Sequence, residues 1–142
     1  MFRQLTKSIY VAPQISVEQV EEAKALGVTM IVNNRPDDEE PGQTNGAAIE
    51  AAAKAAGIGY VAVPVAHGGF APWQLDGMAA ALEQAGEGKL LAYCRSGTRS
   101  TLLWALTRAR AGDHPAALTE QAAGAGYDVA PVRQIMDALA AG

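Results

Sequence analysis

Short apolar runs alternate along this chain with longer stretches in which apolar positions recur at helical spacing. Ser8-Ile9-Tyr10-Val11-Ala12 reads as a first strand, ended or edged by Pro13. Ser16 caps a helix whose Val17, Val20, Ala23 and Leu26 fall on one face, and Gly27 stops it. Val28-Thr29-Met30-Ile31-Val32 reads as a second strand, apolar enough to be central. The acidic loop Asn33–Gly42 follows, then an alanine-rich helix from Asn45 to Ala56, closed by Gly57. A third strand is expected over Gly59–Val65, a loop over His67–Phe70, and a helix from Pro72 to about Gln84. Lys89–Tyr93 is a further short buried strand, and Thr101–Leu106 lies in a buried helix ending near Gly112. Two more helices begin at Pro115 and Pro131, each with proline in its first turn, where no backbone N–H is missed.

Strands and helices thus alternate four times, and the last third is helical. That order predicts an α/β fold: a mainly parallel central sheet of four to five strands, with helices on both faces. At 142 residues the chain is expected to form one domain spanning residues 1–142. Half of it is apolar (49%), 18% is charged and the net charge is −4, a balance that disfavours a general nucleic-acid binder. Its arginines are uneven: Arg95, Arg99, Arg108 and Arg110 crowd into one stretch, while eight of the fifteen acids lie in the first fifty residues. A local positive site on an acidic body suits a small anion. The single cysteine excludes an internal disulfide, the N-terminus lacks the apolar core of a signal peptide, and no apolar run is long enough to span a membrane. A cytoplasmic protein with no membrane partner is expected. No cysteine–histidine spacing indicates a metal, and no cofactor is expected.

Chemistry concentrates in Tyr93-Cys94-Arg95-Ser96-Gly97-Thr98-Arg99-Ser100, a polar loop between a strand end and a helix start. Such a loop points consecutive backbone N–H groups into a small concavity, and the helix N-terminus adds partial positive charge. Both favour an anion and a thiolate. A cysteine kept only for packing gains nothing from neighbours as polar as these. Cys94 is therefore the expected nucleophile and Arg99 the expected anion holder, with Arg95, Ser96, Gly97, Thr98 and Ser100 as substrate-binding residues. Asp37 and Asp38 leave the carboxyl end of a central strand, where open α/β sheets place their sites, and are candidates for acid–base work. His67 could face the same site. Trp73 and Trp104 read as core aromatics, and His114 as a residue capping or flanking a helix.

Cysteine loops of this kind occur in two families. Phosphatases of the tyrosine and dual-specificity type carry five residues between cysteine and arginine. Rhodaneses, which are sulfurtransferases, use a six-residue loop often starting Cys-Arg-Ser-Gly. Cys94 to Arg99 is a six-residue loop, with four residues between. The absence of a strand after the following helix is phosphatase-like. Four strings in order, Pro13-Gln14-Ile15-Ser16, Ile31–Asp37 with Glu39-Glu40-Pro41-Gly42, Tyr60–Val65 and Cys94–Ser100, resemble the phosphatase-like domain of the beta-lactamase-hydrolase-like family over roughly residues 8–110. The resemblance implies a tyrosine-phosphatase-like fold and a cysteine-dependent phosphatase acting on a small phosphorylated or anionic substrate. Some members are labelled sulfurtransferases. Three departures stand out: Tyr93 replaces the histidine before the cysteine, the loop is one residue short, and Ala66–Phe70 holds no aspartate to act as general acid. A rhodanese-like sulfurtransferase with a Cys94 persulfide and a non-catalytic anion-binding module are the alternatives. The sequence leaves the substrate and the oligomeric state open.

Overall fold

The computed structural model describes residues 1–66 and 68–142. The expectation for His67 lies outside the described residues. Five strands form one sheet in the order β1-β2-β5-β3-β4: β1 Arg3–Thr6, β2 Ile9–Ala12, β3 Val28–Asn33, β4 Gly59–Ala62 and β5 Lys89–Tyr93. Only β1 runs antiparallel, on β2; the other pairings are parallel. The helices are α1 Val17–Ala25, α2 Gly46–Ala55, α3 Pro72–Ala85, α4 Thr98–Arg110, α5 Pro115–Gly124 and α6 Arg133–Ala141, with a 3₁₀ turn at Ala130–Val132 before the last.

Side chains alternate across the sheet, so β5 feeds two cores. Leu90 and Ala92 pack with Ile9, Val11, Met30 and Val32 beneath α3–α6. Leu91 and Tyr93 pack with Tyr10, Ala12 and Ile31 beneath α1 and α2. Ser16 caps α1 as expected, exchanging hydrogen bonds with Gln19 in a capping box. Helix α4 lies deepest, buried without a break from Ser100 to Thr107.

Three local expectations are corrected. Strand β1 went unseen because it is an edge strand with one buried side chain, Leu5, and so carries no apolar run. The third expected strand ends at Ala62 rather than Val65. Val63 and Val65 still donate to the Asn33 and Asn34 carbonyls at 2.9 Å each, but Pro64 between them has no N–H and the regular ladder stops. Trp104 is core as expected, at 2% exposure, but Trp73 is 55% exposed. The inward stripe of α3 is Gln74, Leu75, Met78, Ala81 and Ala85, and Trp73 falls outside it.

Candidate active site

The carboxyl ends of β2, β5, β3 and β4 are stitched together where the cysteine loop begins. The Cys94 N–H donates to the Ala12 carbonyl at 3.3 Å, and the Gln14 N–H to the Arg95 carbonyl at 3.3 Å. Asn34, fully buried, donates its N–H to the Tyr93 carbonyl and its Nδ2 to the Val63 carbonyl, both at 2.8 Å. Asn33 accepts the Arg35 N–H through Oδ1 at 2.9 Å and donates Nδ2 to the Tyr60 hydroxyl at 3.0 Å. These asparagines, expected as loop residues, hold the ends of β3, β4 and β5 in register around the cysteine.

Cys94 is wholly buried at the base of the loop. The Gly97 N–H is directed at its Sγ, at 3.1 Å. Gly97 has φ of +92°, the left-handed conformation glycine adopts without strain, and this turns the peptide inward before α4 starts. Ser96 Oγ accepts the Thr98 N–H at 3.3 Å and donates to Thr98 Oγ1 at 3.0 Å. The first N–H groups of α4, including those of Arg99 and Ser100, have no acceptor within their own helix. Ser100 Oγ is buried beneath the loop without a hydrogen-bond partner among the described residues.

Arg99 is held from two sides. Its Nη1 donates to the Val65 carbonyl at 2.6 Å and to Glu39 Oε2 at 2.7 Å, and its Nη2 donates to Glu39 Oε1 at 2.8 Å. Glu39 Oε1 also accepts from Arg35 Nε at 2.9 Å. The hydrogen bond from Arg99, outweighing desolvation and aided by the one from Arg35, lowers the Glu39 carboxyl from 4.5 to about 2. Arg99 is raised above its ordinary value, chiefly by the hydrogen bond to Glu39, which outweighs the opposing effect of burial. Arg35, only 3% exposed, is also held by Gln14 Oε1 at 3.1 Å and Glu40 Oε1 at 3.0 Å. Glu40 Oε2 in turn faces Arg95 Nη2 at 3.4 Å.

The acidic loop therefore does reach the cysteine loop, but through Glu39 and Glu40. Asp37 caps the neighbouring helix instead, its Oδ1 accepting the Gly46 N–H of α2 at 2.8 Å. Asp38 is exposed, with φ of +63°. Arg95, Ser96 and Thr98 are exposed around the loop, and Cys94, Gly97 and Ser100 lie beneath them. Sequence reasoning missed Glu39, Arg35 and Tyr127. The i,i+4 spacing of Arg35 and Glu39 in a loop leaving a central strand was an available signal for the first two. For Tyr127 there was none: its hydroxyl donates to the Ser96 carbonyl at 3.0 Å from 31 residues away.

A sheet of this order, with the cysteine loop at its carboxyl edge and helices following it, defines the tyrosine-phosphatase-like fold. A Neisseria meningitidis protein described as a candidate phosphatase superposes with a TM-score of 0.83 at 32% identity, covering 96% of each chain. The core catalytic domain of the PP-IP phosphatase SIW14 of S. cerevisiae, in complex with citrate, matches with a TM-score of 0.68 over 96% of this chain and 83% of that one; at 18% identity the fold alone is shared. The family model for the phosphatase-like domain of beta-lactamase hydrolase-like protein matches residues 1–111, and the chain belongs to that family. A beta-lactamase hydrolase-like protein of Agrobacterium fabrum is 32% identical over 108 residues, 76% of this chain. One of Xylella fastidiosa is 40% identical over 81 residues, 57% of this chain. The matched stretches make up 25% and 19% of those two relatives. No described helix is long and apolar enough to cross a membrane.

Proposed function

We propose that the protein is a cysteine-dependent phosphatase that hydrolyses a small phosphate monoester through a phosphocysteine. The carrying observation is the Glu39–Arg99 pair beside Cys94. Three N–H groups of the guanidinium are bound by Glu39 and Val65, and a guanidinium has five. The other two, unpaired among the described residues, match two of the three equatorial oxygens of a transferring phosphoryl group. Cys94 Sγ attacks phosphorus as the P–O bond to the alcohol breaks. The inward N–H groups of the loop and Arg99 stabilise the charge on the transferring group. Water then cleaves the S–P bond, releasing phosphate and restoring the thiolate. Ser100, whose buried hydroxyl has no partner among the described residues, would donate to that thiolate. Arg95, Ser96, Gly97 and Thr98 complete the cup. Asp37 and Asp38 are the aspartates proposed to protonate the leaving group; for Asp37 this requires release of the Gly46 N–H. The citrate bound by the S. cerevisiae neighbour is a small anion of the same charge class.

Sulfur transfer is the second reading, favoured by the loop itself: four residues, not five, separate Cys94 from Arg99. Parallel assays with an aryl phosphate and with thiosulfate plus cyanide separate the two. The phosphatase reading expects turnover of the aryl phosphate and its loss in Cys94→Ser; sulfur transfer without aryl phosphate turnover overturns it. Inorganic phosphate should raise the melting temperature, and Arg99→Ala should remove most of that gain. A proton donor typically contributes about 10²–10⁴ in rate. Asp37→Asn or Asp38→Asn should therefore slow alkyl phosphates more than activated aryl phosphates, and equal slowing of both removes that aspartate from the role.

A further inference from the structure

Three segments bound to the cysteine loop run on from it and line one apolar cavity of about 480 Å³. The first is α4: Leu102 and Leu106 line the cavity, and Leu102 lies one helical turn beyond Arg99, a rise of about 4.5 Å. The second leaves Val65, whose carbonyl holds Arg99, and contributes Phe70. The third leaves Tyr127, whose hydroxyl holds the Ser96 carbonyl, and contributes Val132 and then Ile135 of α6. Ile135 is 52% exposed, an apolar wall open to solvent. Among the described lining residues only Arg110 is charged, and its guanidinium pairs with Asp76 at 2.9 Å.

Two other cavities do not fit an anion with an apolar tail. One, lined by Ser8, Gly88, Arg108 and Asp113, lies at the opposite edge, where the parallel strands begin. Another, beside β4, is lined by Asp37 and Glu50, which repel an anion, and by Arg35, whose charge Glu39 and Glu40 already offset. Nothing acidic lines the apolar cavity among the described residues, and its volume is in the range that holds small organic ligands.

We propose that this cavity receives the apolar alcohol portion of a small phosphate monoester whose phosphate sits in the cysteine loop. The proposal rests on the phosphatase reading and names the substrate class for it. Charge selects the head at the loop; burial of the chain or ring along α4 selects the tail.

The test is a series of n-alkyl phosphates from methyl to octyl, titrated calorimetrically into the wild-type protein. Each methylene is expected to tighten binding roughly two- to fourfold until the cavity is full. Ile135→Glu, at an exposed position, should flatten that slope, and Leu139→Glu serves as a second variant at the far wall. Alkyltrimethylammonium ions of the same lengths should show no comparable gain. Equal affinity from methyl to octyl overturns the proposal. So does an equal slope with the cationic heads, which marks general greasiness, or a slope that survives both variants. Failure of the phosphatase reading shows separately, as inability to turn over phenyl phosphate.

Discussion

Glu39 decides what Arg99 can do. A guanidinium free in solution has many conformers; here one carboxylate takes two of its donors and a backbone carbonyl takes a third. Ordering is settled before any ligand arrives, which lowers the entropic cost of binding one. The same carboxylate balances Arg35, a charge buried to 3% exposure. Glu39→Gln keeps the shape and removes the charge, so it should destabilise the fold by about 1.5–3 kcal/mol at neutral pH, the range for hydrogen bonds to charged groups. The pH dependence has a definite sign. The Glu39 carboxyl is depressed from 4.5 to about 2, so its contribution is complete above pH 4.5 and is lost as pH falls toward 2. The melting-temperature gap between wild type and Glu39→Gln should be constant from pH 5 to 7 and close between 4.5 and 2. A gap that stays open at pH 2 would show that the carboxylate's charge is not its source.

At the scale of elements, the cysteine loop is a strand-to-helix turn whose shape is set from outside. Gly97 supplies the positive φ, and Tyr127, between α5 and α6, supplies a donor to the Ser96 carbonyl. That bond fixes the outward face of the Ser96–Gly97 peptide, leaving the Gly97 N–H on Cys94. Tyr127 is itself braced by Arg3 of β1, whose guanidinium lies 5.4 Å from the ring centroid and donates to the Ala125 carbonyl at 3.0 Å. The unseen edge strand therefore supports the loop through a residue beyond the stretch matched by the family model. Tyr127→Phe should leave the melting temperature within a few degrees yet weaken phosphate binding several-fold, since one hydrogen bond is worth about 1 kcal/mol. Gly97→Ala should do worse on both counts, because a Cβ there runs into the Tyr127 hydroxyl and the backbone is left-handed. Phosphate titrations and thermal melts of both variants check this; unaltered binding in both would detach the tyrosine from the loop.

For the whole molecule, α4 is the pillar. It is buried from Ser100 to Thr107, starts at the cysteine loop and carries Trp104, Leu103 and Leu106 into the core beneath α3, α5 and α6. Stability and site geometry therefore share one element. Trp104→Ala, at 2% exposure, should cost about 3–5 kcal/mol. A denaturant midpoint lowered to that extent, with phosphate binding retained while the protein is folded, is the expected result; a loss below 1 kcal/mol would mean that the core around α4 closes over the gap.

Local physics made much of this legible in advance. Apolar runs of four to six residues between glycines and prolines marked β2, β3 and β5, and Ser16, Asn45 and the N-terminal prolines marked where helices start. Cys94 and its loop were legible because a strand end, a tight polar loop and a helix start are adjacent in the chain. Three things needed the tertiary structure. Strand β1 pairs at an edge and buries too little to show a pattern. Glu39 reaches Arg99 across 60 residues of chain, and Tyr127 reaches Ser96 across 31. Which of four consecutive acids, Asp37 to Glu40, meets an arginine depends on how one loop folds over the sheet edge. Asp37 is drawn to the N–H groups at the start of α2, and the turn at Asp38 delivers Glu39 to the guanidinium. Residue type and spacing settle which groups are available; only packing brings two of them within 3 Å.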